Sequence, residues 1–225
     1  MRRLDGSPEP AGAAVDHLVV AAADLDAGAD WLESHLGVPL SPGGRHATMG
    51  THNRLLRLGT NLYLELIAID PGAPRPPRPR WFGLDDPLMQ ERIAQRPRLI
   101  HWLARCKDIM AMAAASPAPL GDILGLARGD FRWRITVPGD GRLPGDGLVP
   151  SLIRWDSPRH PAESLPDRGC ALMKLEGFHR KPGSIRNALA TLGLADAMAL
   201  YPADPDAPPG LVAWVKAPAG LREID

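Results

Sequence analysis

Val15-Asp-His17-Leu-Val-Val-Ala-Ala-Ala-Asp24-Leu25 and Leu99-Ile-His101-Trp-Leu-Ala-Arg-Cys-Lys-Asp108-Ile109 can be laid on each other at an offset of 84 residues. His matches His, and an Asp placed to cap a helix matches another. Further on, Leu148-Val-Pro-Ser151-Leu-Ile-Arg-Trp-Asp156 lies on Leu62-Tyr-Leu-Glu65-Leu-Ile-Ala-Ile-Asp70 at an offset of 86, with four of nine positions identical. Apolar strands align easily by chance. Two offsets that nearly agree point to a duplicated unit.

The unit can be read from its first copy. Residues 15–22 form an apolar run with the length of a buried strand. Asp24 then caps a helix with Leu25, Ala29, Leu32 and Leu36 on one face, and Gly37 ends it. Pro42-Gly43-Gly44 reads as a turn into a short strand at 45–48, and 53–58 reads as another strand. Gly59-Thr60-Asn61 makes a hairpin turn into the strand 62–70. The order is strand, helix, strand, strand, strand.

The expected organisation has five parts: a flexible tail over 1–14, a first βαβββ module over 15–70, a Pro/Arg-rich connection with a short helix over 71–97, a second module over 98–156, and a C-terminal βαββ partial module over 157–225. Residues 71–80 carry too many prolines for regular structure. Asp86-Pro87 opens a helix running to about Gln95. In the last part, Leu172–Phe178, a helix ending at Gly193, and strands at Leu211–Lys216 and Leu221–Ile224 echo the same opening. The fold class is α+β.

The 225 residues carry 26 Lys plus Arg and 26 Asp plus Glu, so the formal net charge is zero. A general nucleic-acid binder needs a basic excess, and an acidic membrane surface attracts one. Neither partner is expected. Two cysteines, Cys106 and Cys170, make no disulfide framework, which suits a reducing cytoplasm. Residues 1–14 lack the apolar stretch of a signal peptide, and no 18-residue apolar run exists.

Val15-Asp16-His17-Leu18, Asp24-Leu25-Asp26, Gly43-Gly44-Arg45-His46, Gly50-Thr51-His52-Asn53-Arg54-Leu55 and Tyr63-Leu64-Glu65-Leu66 together resemble the glyoxalase-like domain of the vicinal oxygen chelate superfamily. The resemblance is specific over 15–70 and looser to about residue 180. It implies tandem βαβββ modules forming an incomplete mixed-sheet barrel, to which the residues add the third partial module read above. It also implies a divalent metal (Zn, Mn, Ni or Fe(II)) in the cup, held from the first and last strands of each module. Carried over, the ligands are His17, Glu65 and His101. The fourth position is Ser151, a poor ligand, so this chain departs from the four-ligand pattern.

Glu65 is the most informative residue, because a carboxylate inside an apolar strand is costly unless it is paired, hydrogen-bonded or metal-bound. The competing structural explanation is an ion pair with Arg45 or Arg54. Arg45, Thr51 and Asn53 are the candidate substrate-binding residues, Arg45 for an anionic group. His46 and Glu65 are the candidate catalytic groups. His160 and His179 read as surface loop residues.

Two functions follow. The first is a metal-dependent small-molecule enzyme of isomerase, lyase or dioxygenase type. The second is a metal-free binding or sequestration protein of the same fold, which Ser151 favours. Paired modules come from one chain or from two, so a homodimer is compatible with either.

Overall fold

The computed structural model describes residues 12–225. The tail expected over 1–14 lies outside the described residues up to residue 11. Ala13 is already buried and donates its N–H to Leu192 O. An eight-stranded sheet forms from two copies of one module. The first is β1 (Ala14–Ala21), α1 (Leu25–Leu36), β2 (Ser41–His46), β3 (Thr51–Gly59) and β4 (Leu62–Ile69). A connection carrying α2 (Pro87–Gln95) follows. The second copy is β5 (Arg98–Arg105), α3 (Ile109–Ala115), β6 (Asp122–Arg128), β7 (Phe131–Val137) and β8 (Ser151–Trp155).

The strand order is β2-β3-β4-β1-β5-β8-β7-β6. Within each copy the first strand runs parallel to the last, β1 to β4 and β5 to β8, and the two copies join through antiparallel β1 and β5. Registers agree with the two offsets: Val19 lies opposite Glu65, and Leu103 opposite Ser151. The helices start where a side chain satisfies an orphan N–H. Asp24 accepts from Ala27, Asp86 from Leu88, and Asp108 from Ala111, at 2.8, 2.9 and 3.0 Å. Gly37 ends α1 in the left-handed region, φ 72°, donating to Glu33 O.

The C-terminal part forms its own sheet, ordered β10-β9-β11-β12. Its strands are β9 (Ala171–His179), β10 (Ala199–Pro202), β11 (Gly210–Ala217) and β12 (Gly220–Ile224), with α4 (Pro182–Thr191) crossing from β9 to β10. Here β9 pairs parallel with the strand straight after its helix, not with the last one. The opening repeats the module, but the pairing does not. Among the described residues no helix is long and apolar enough to cross a membrane.

Two apolar clusters separate the faces of the large sheet. One gathers α1, α4 and the small sheet around Leu18, Leu64 and Trp102. The other fills the concave side, and much of it comes from the connection: Trp81, Phe82, Leu84, Met89 and Ile93 pack against Val19, Ile67, Leu103 and Ile153. The connection is therefore the plug of the cup. Its turn at Trp81–Gly83 holds Phe82 at φ 59°, ψ 23°. A left-handed non-glycine residue costs roughly 1–2 kcal/mol, and burying a Phe side chain returns about 1.5–3 kcal/mol, so the packing wins.

The turn is braced within the plug and against both modules, Arg80 Nε also donating to Gly50 O at 3.4 Å. Arg80 pairs with Asp85 at 2.7 Å, and Gly83 N–H donates to Gly141 O at 2.8 Å. Gly141 has φ 75°, and a Cβ there would stand 2.2 Å from Arg80 O, a backbone atom that cannot swing aside. Gly141→Ala is expected to lower the free energy of unfolding by about 2–4 kcal/mol. Urea denaturation measures this, and a loss under about 1 kcal/mol would show that the plug does not depend on that crossing.

Candidate active site

The cup narrows to a cavity walled by both modules and the plug, with clear space of about 20 Å³ at its heart. That heart has room for on the order of one water molecule. Polar side chains reach it from β1 (His17), β2 (His46), β3 (Asn53), β4 (Tyr63 and Glu65) and β6 (Arg128). Trp81, Phe82, Trp133 and Trp155 supply aromatic walls.

Asp16 anchors the arrangement from behind. It is completely buried, and its two oxygens accept three hydrogen bonds: from His17 Nδ1 at 2.6 Å, Trp155 Nε1 at 2.9 Å and His160 Nε2 at 3.1 Å. Burial alone would raise the carboxyl pKa. Attraction and hydrogen bonds from His160 and His17 overcome burial and hold it well below the usual carboxylate range. An ionised Asp16 only accepts, so His17 Nδ1 carries the proton and Nε2 is turned to the cup. The His17 ring also stacks on Tyr63 at 4.4 Å between centroids. His160, expected on a surface loop, is instead buried here, because the turn after β8 folds back and caps itself with that ring.

Glu65 is 5 % exposed. Asn53 Nδ2 donates to its Oε1 at 2.5 Å, and its Oε2 faces His17 Nε2 across 3.6 Å. That gap is too long for a hydrogen bond, so both atoms stay available to a ligand. Neither Arg45 nor Arg54 pairs with Glu65. Arg45 reaches Asp70 with its side chain 70 % exposed, and Arg54 reaches Asp26. Neighbours on a strand point to opposite faces, so only one of Arg45 and His46 can enter the cup, and His46 does. Pro42-Gly43-Gly44, expected as a turn, lies inside β2 as a bulge. Gly44 N–H donates to Asn53 Oδ1 at 2.8 Å, and a Cβ at Gly43 would overlap the Asn53 side chain.

Arg128 was not legible as a site residue. It comes from the far edge strand and donates Nη1 to Asn53 Oδ1 at 3.0 Å and to His46 Nε2 at 3.3 Å. A Cβ on Gly44 would meet its Cδ at 2.6 Å. His46 thus accepts at Nε2, with Nδ1 3.1 Å from Thr51 Oγ1. Burial lowers its pKa to about 4; Glu65 opposes this and Arg128 reinforces it. The ring is neutral at pH 7 and has no spare proton for acid catalysis. Thr51 is buried behind it as its partner.

His101 is not brought to His17 and Glu65. Its Nε2 accepts from Ser151 N–H at 3.1 Å and lies 3.0 Å from Ser151 Oγ. Its Nδ1 lies 3.0 Å from Gly147 O. Both ring nitrogens serve the protein, and burial lowers the pKa to about 4 despite the Gly147 carbonyl. The donor set His17, Glu65 and His101 therefore does not fit a metal. Among the described residues no three His, Cys, Asp or Glu side chains converge as ligands would. The Arg128 guanidinium brings a fixed positive charge to this cavity.

Comparison with known proteins agrees with the architecture. The model of a family described as "Glyoxalase-like domain" matches residues 15–193. No functionally curated protein matches. A hypothetical protein from Staphylococcus aureus is similar in structure, with 11 % identity, 93 % of this chain and 83 % of that one covered, and a TM-score of 0.53. Methylmalonyl-CoA epimerase from Mycobacterium tuberculosis matches at 17 % identity over 64 % of this chain and 88 % of its own, with a TM-score of 0.41. With the family match spanning both modules, the chain belongs to the glyoxalase-like domain family of the vicinal oxygen chelate superfamily.

Proposed function

We propose that this protein is a small-molecule enzyme that moves a proton at a carbon beside a carbonyl, with Glu65 as the base. One observation carries this: Glu65 Oε2 and His17 Nε2 both face the cavity 3.6 Å apart, each backed by its own hydrogen-bonded partner. Asn53 fixes the carboxylate and Asp16 fixes the imidazole. Such held groups keep their geometry through a reaction.

The step balances without a co-reactant. The carbon–hydrogen bond breaks, its proton goes to Glu65 Oε2, and its electron pair moves onto the carbonyl oxygen. Arg128 supplies positive charge for that oxygen, and the aromatic walls exclude the water that would screen it. Return of the proton to the same carbon gives exchange; delivery to the former carbonyl carbon, with the neighbouring hydroxyl proton passing to the former carbonyl oxygen, gives isomerisation. No metal enters, since the donors present do not fit one. The setting we assign is cytoplasmic, with no nucleic-acid partner.

The test is wash-in of solvent deuterium, followed by NMR, into α-hydroxyketones and the hemithioacetals of 2-oxoaldehydes. Wild type is expected to catalyse exchange with at least one of them, and Glu65→Gln to slow it by about 10²–10⁴-fold. Exhaustive treatment with a chelator is expected to leave the rate unchanged. Exchange that survives Glu65→Gln, or that needs added Mn, Ni, Zn or Fe(II), would overturn the proposal. Binding without exchange would favour the sequestration reading.

A further inference from the structure

The heart of the cup has room for about one water molecule, so a ligand reaches it only through a wall that opens. Most of its walls are costly to move. β1, β4, β5 and β8 lie inside the large sheet, paired on both sides. The plug buries Trp81, Phe82 and Leu84 and is held by the Arg80–Asp85 pair. β7 pairs with both β6 and β8, and near its start Arg132 N–H donates to Ser157 Oγ at 2.6 Å. The edge strand β6 has fewer supports. It pairs with β7 alone, and none of its seven residues is buried. A Cβ on its Gly125, or on Gly129 in the turn that follows, would meet nothing within 4 Å. Its start is tied to the connection, where Arg78 reaches Asp122 at 3.5 Å.

The sheet curls until β6 lies beside its other edge strand, β2. Among the described residues no backbone hydrogen bond joins the two. The polar contacts across this seam, among the described residues, come from Arg128 at the end of β6. Its Nη1 donates to Asn53 Oδ1 at 3.0 Å and to His46 Nε2 at 3.3 Å. Outside the seam runs a groove of about 520 Å³, lined by Ala47 and Thr48 after β2, by residues 125–127 of β6 and by Trp133. Trp133 also lines the cavity, so it is part of the partition between the two.

We infer that the β2–β6 seam is the ligand door of the cup, hinged where Asp122 meets the connection and latched by Arg128. Local opening draws on the least stable part of a fold. Releasing the latch breaks two hydrogen bonds to neutral acceptors, whereas moving the plug bares Trp81, Phe82 and Leu84. The inference concerns entry and stands apart from the acid–base reading. Where that reading holds, closing the door also returns the Arg128 charge, so the site is complete only when shut. Both latch bonds use Nη1, one of three nitrogens in the guanidinium, so latching does not exhaust its donors.

Thiol labelling tests this. Leu103 is fully buried and lines the cavity, so Leu103→Cys places a thiol behind the door. The natural Cys106 and Cys170 are buried in the other apolar cluster and report global opening. Iodoacetamide is the probe, with each labelled site located by mass spectrometry. Its rate at a buried thiol follows the population of the open form. The introduced thiol is expected to react at least about tenfold faster than the two natural ones. Adding Arg128→Met is expected to raise its rate by about 10–100-fold, with Arg128→Lys in between. Adding Asp85→Ala, which unfastens the plug, is expected to change it by less than about twofold. Cys106 and Cys170 are expected to keep their rates in every variant.

The inference is overturned if the introduced thiol reacts no faster than the natural ones, if Arg128→Met leaves its rate unchanged, or if all three thiols accelerate together. It is also overturned if Asp85→Ala accelerates labelling as much as Arg128→Met, since the plug would then be the door. Should Leu103→Cys fail to fold, Ile135→Cys reports on the same cavity. Labelling needs no turnover, so loss of deuterium exchange in Glu65→Gln and the labelling rates succeed or fail independently.

Discussion

Replacing Asp16 by alanine is expected to lower the free energy of unfolding by about 3–5 kcal/mol, the usual cost of removing one member of a buried charged network. Asp16 is 0 % exposed, and His17, His160 and Trp155 all donate to it. Alanine leaves three donors in a closed space with nothing to accept them. Each such loss is costly on its own. Asp16→Asn keeps the volume but turns an NH2 group toward an N–H, so about 2–3 kcal/mol is expected. Urea midpoints measure both. A loss under about 1 kcal/mol for Asp16→Ala would mean that the network does not organise this end of the cup.

Acid is expected to destabilise the protein well before its carboxylates titrate. His46 and His101 are both buried as neutral rings, each with its pKa lowered from 6.5 to about 4, chiefly by burial. Between those values the unfolded chain binds a proton at each histidine and the folded chain does not. Stability therefore rises with pH across that window and is complete only above 6.5. Each ring contributes a slope of about 1.4 kcal/mol per pH unit, so acidifying from pH 7 to 5 is expected to cost roughly 4 kcal/mol. Asp16 adds to the loss only below about pH 4, where the unfolded carboxyl gains its proton. Denaturation curves at the two pH values check this, and equal unfolding free energies would contradict the burial of neutral rings.

How much of this was legible in the sequence depended on whether the signal was local. Strand β1, helix α1 and strand β4 follow from apolar runs, an Asp cap and a terminal Gly, all within a few residues. The tandem arrangement follows because two offsets agree. Glu65 announces itself as a carboxylate in an apolar strand, whatever its partner. What could not be read was long-range closure. Arg128 stands 75 residues from Asn53 and 82 from His46, and nothing local distinguishes it from the many other arginines. It matters because the curling sheet brings edge strands β2 and β6 together. The bulge in β2 decides whether Arg45 or His46 faces inward, and composition does not reveal it. His101 matched His17 by position, yet Ser151 and Gly147 claim its ring. The β9–β11 pairing is equally invisible, because a strand, a helix and a strand can join in more than one order.

The two modules share a backbone plan but not a chemistry. The first contributes His17, His46, Asn53 and Glu65 to the cavity, whereas the second contributes Arg128, Trp133 and Trp155. A cup built from two identical chains must display every side chain twice, because its symmetry axis copies each substitution. Joining the halves in one polypeptide removes that constraint. Where one half holds an acid, Glu65, the equivalent place in the other holds a hydroxyl, Ser151, and an asymmetric ligand meets two different surfaces. Left and right of the pocket are therefore distinguishable. A carbon whose two faces differ by chirality would be presented to the base from one side only.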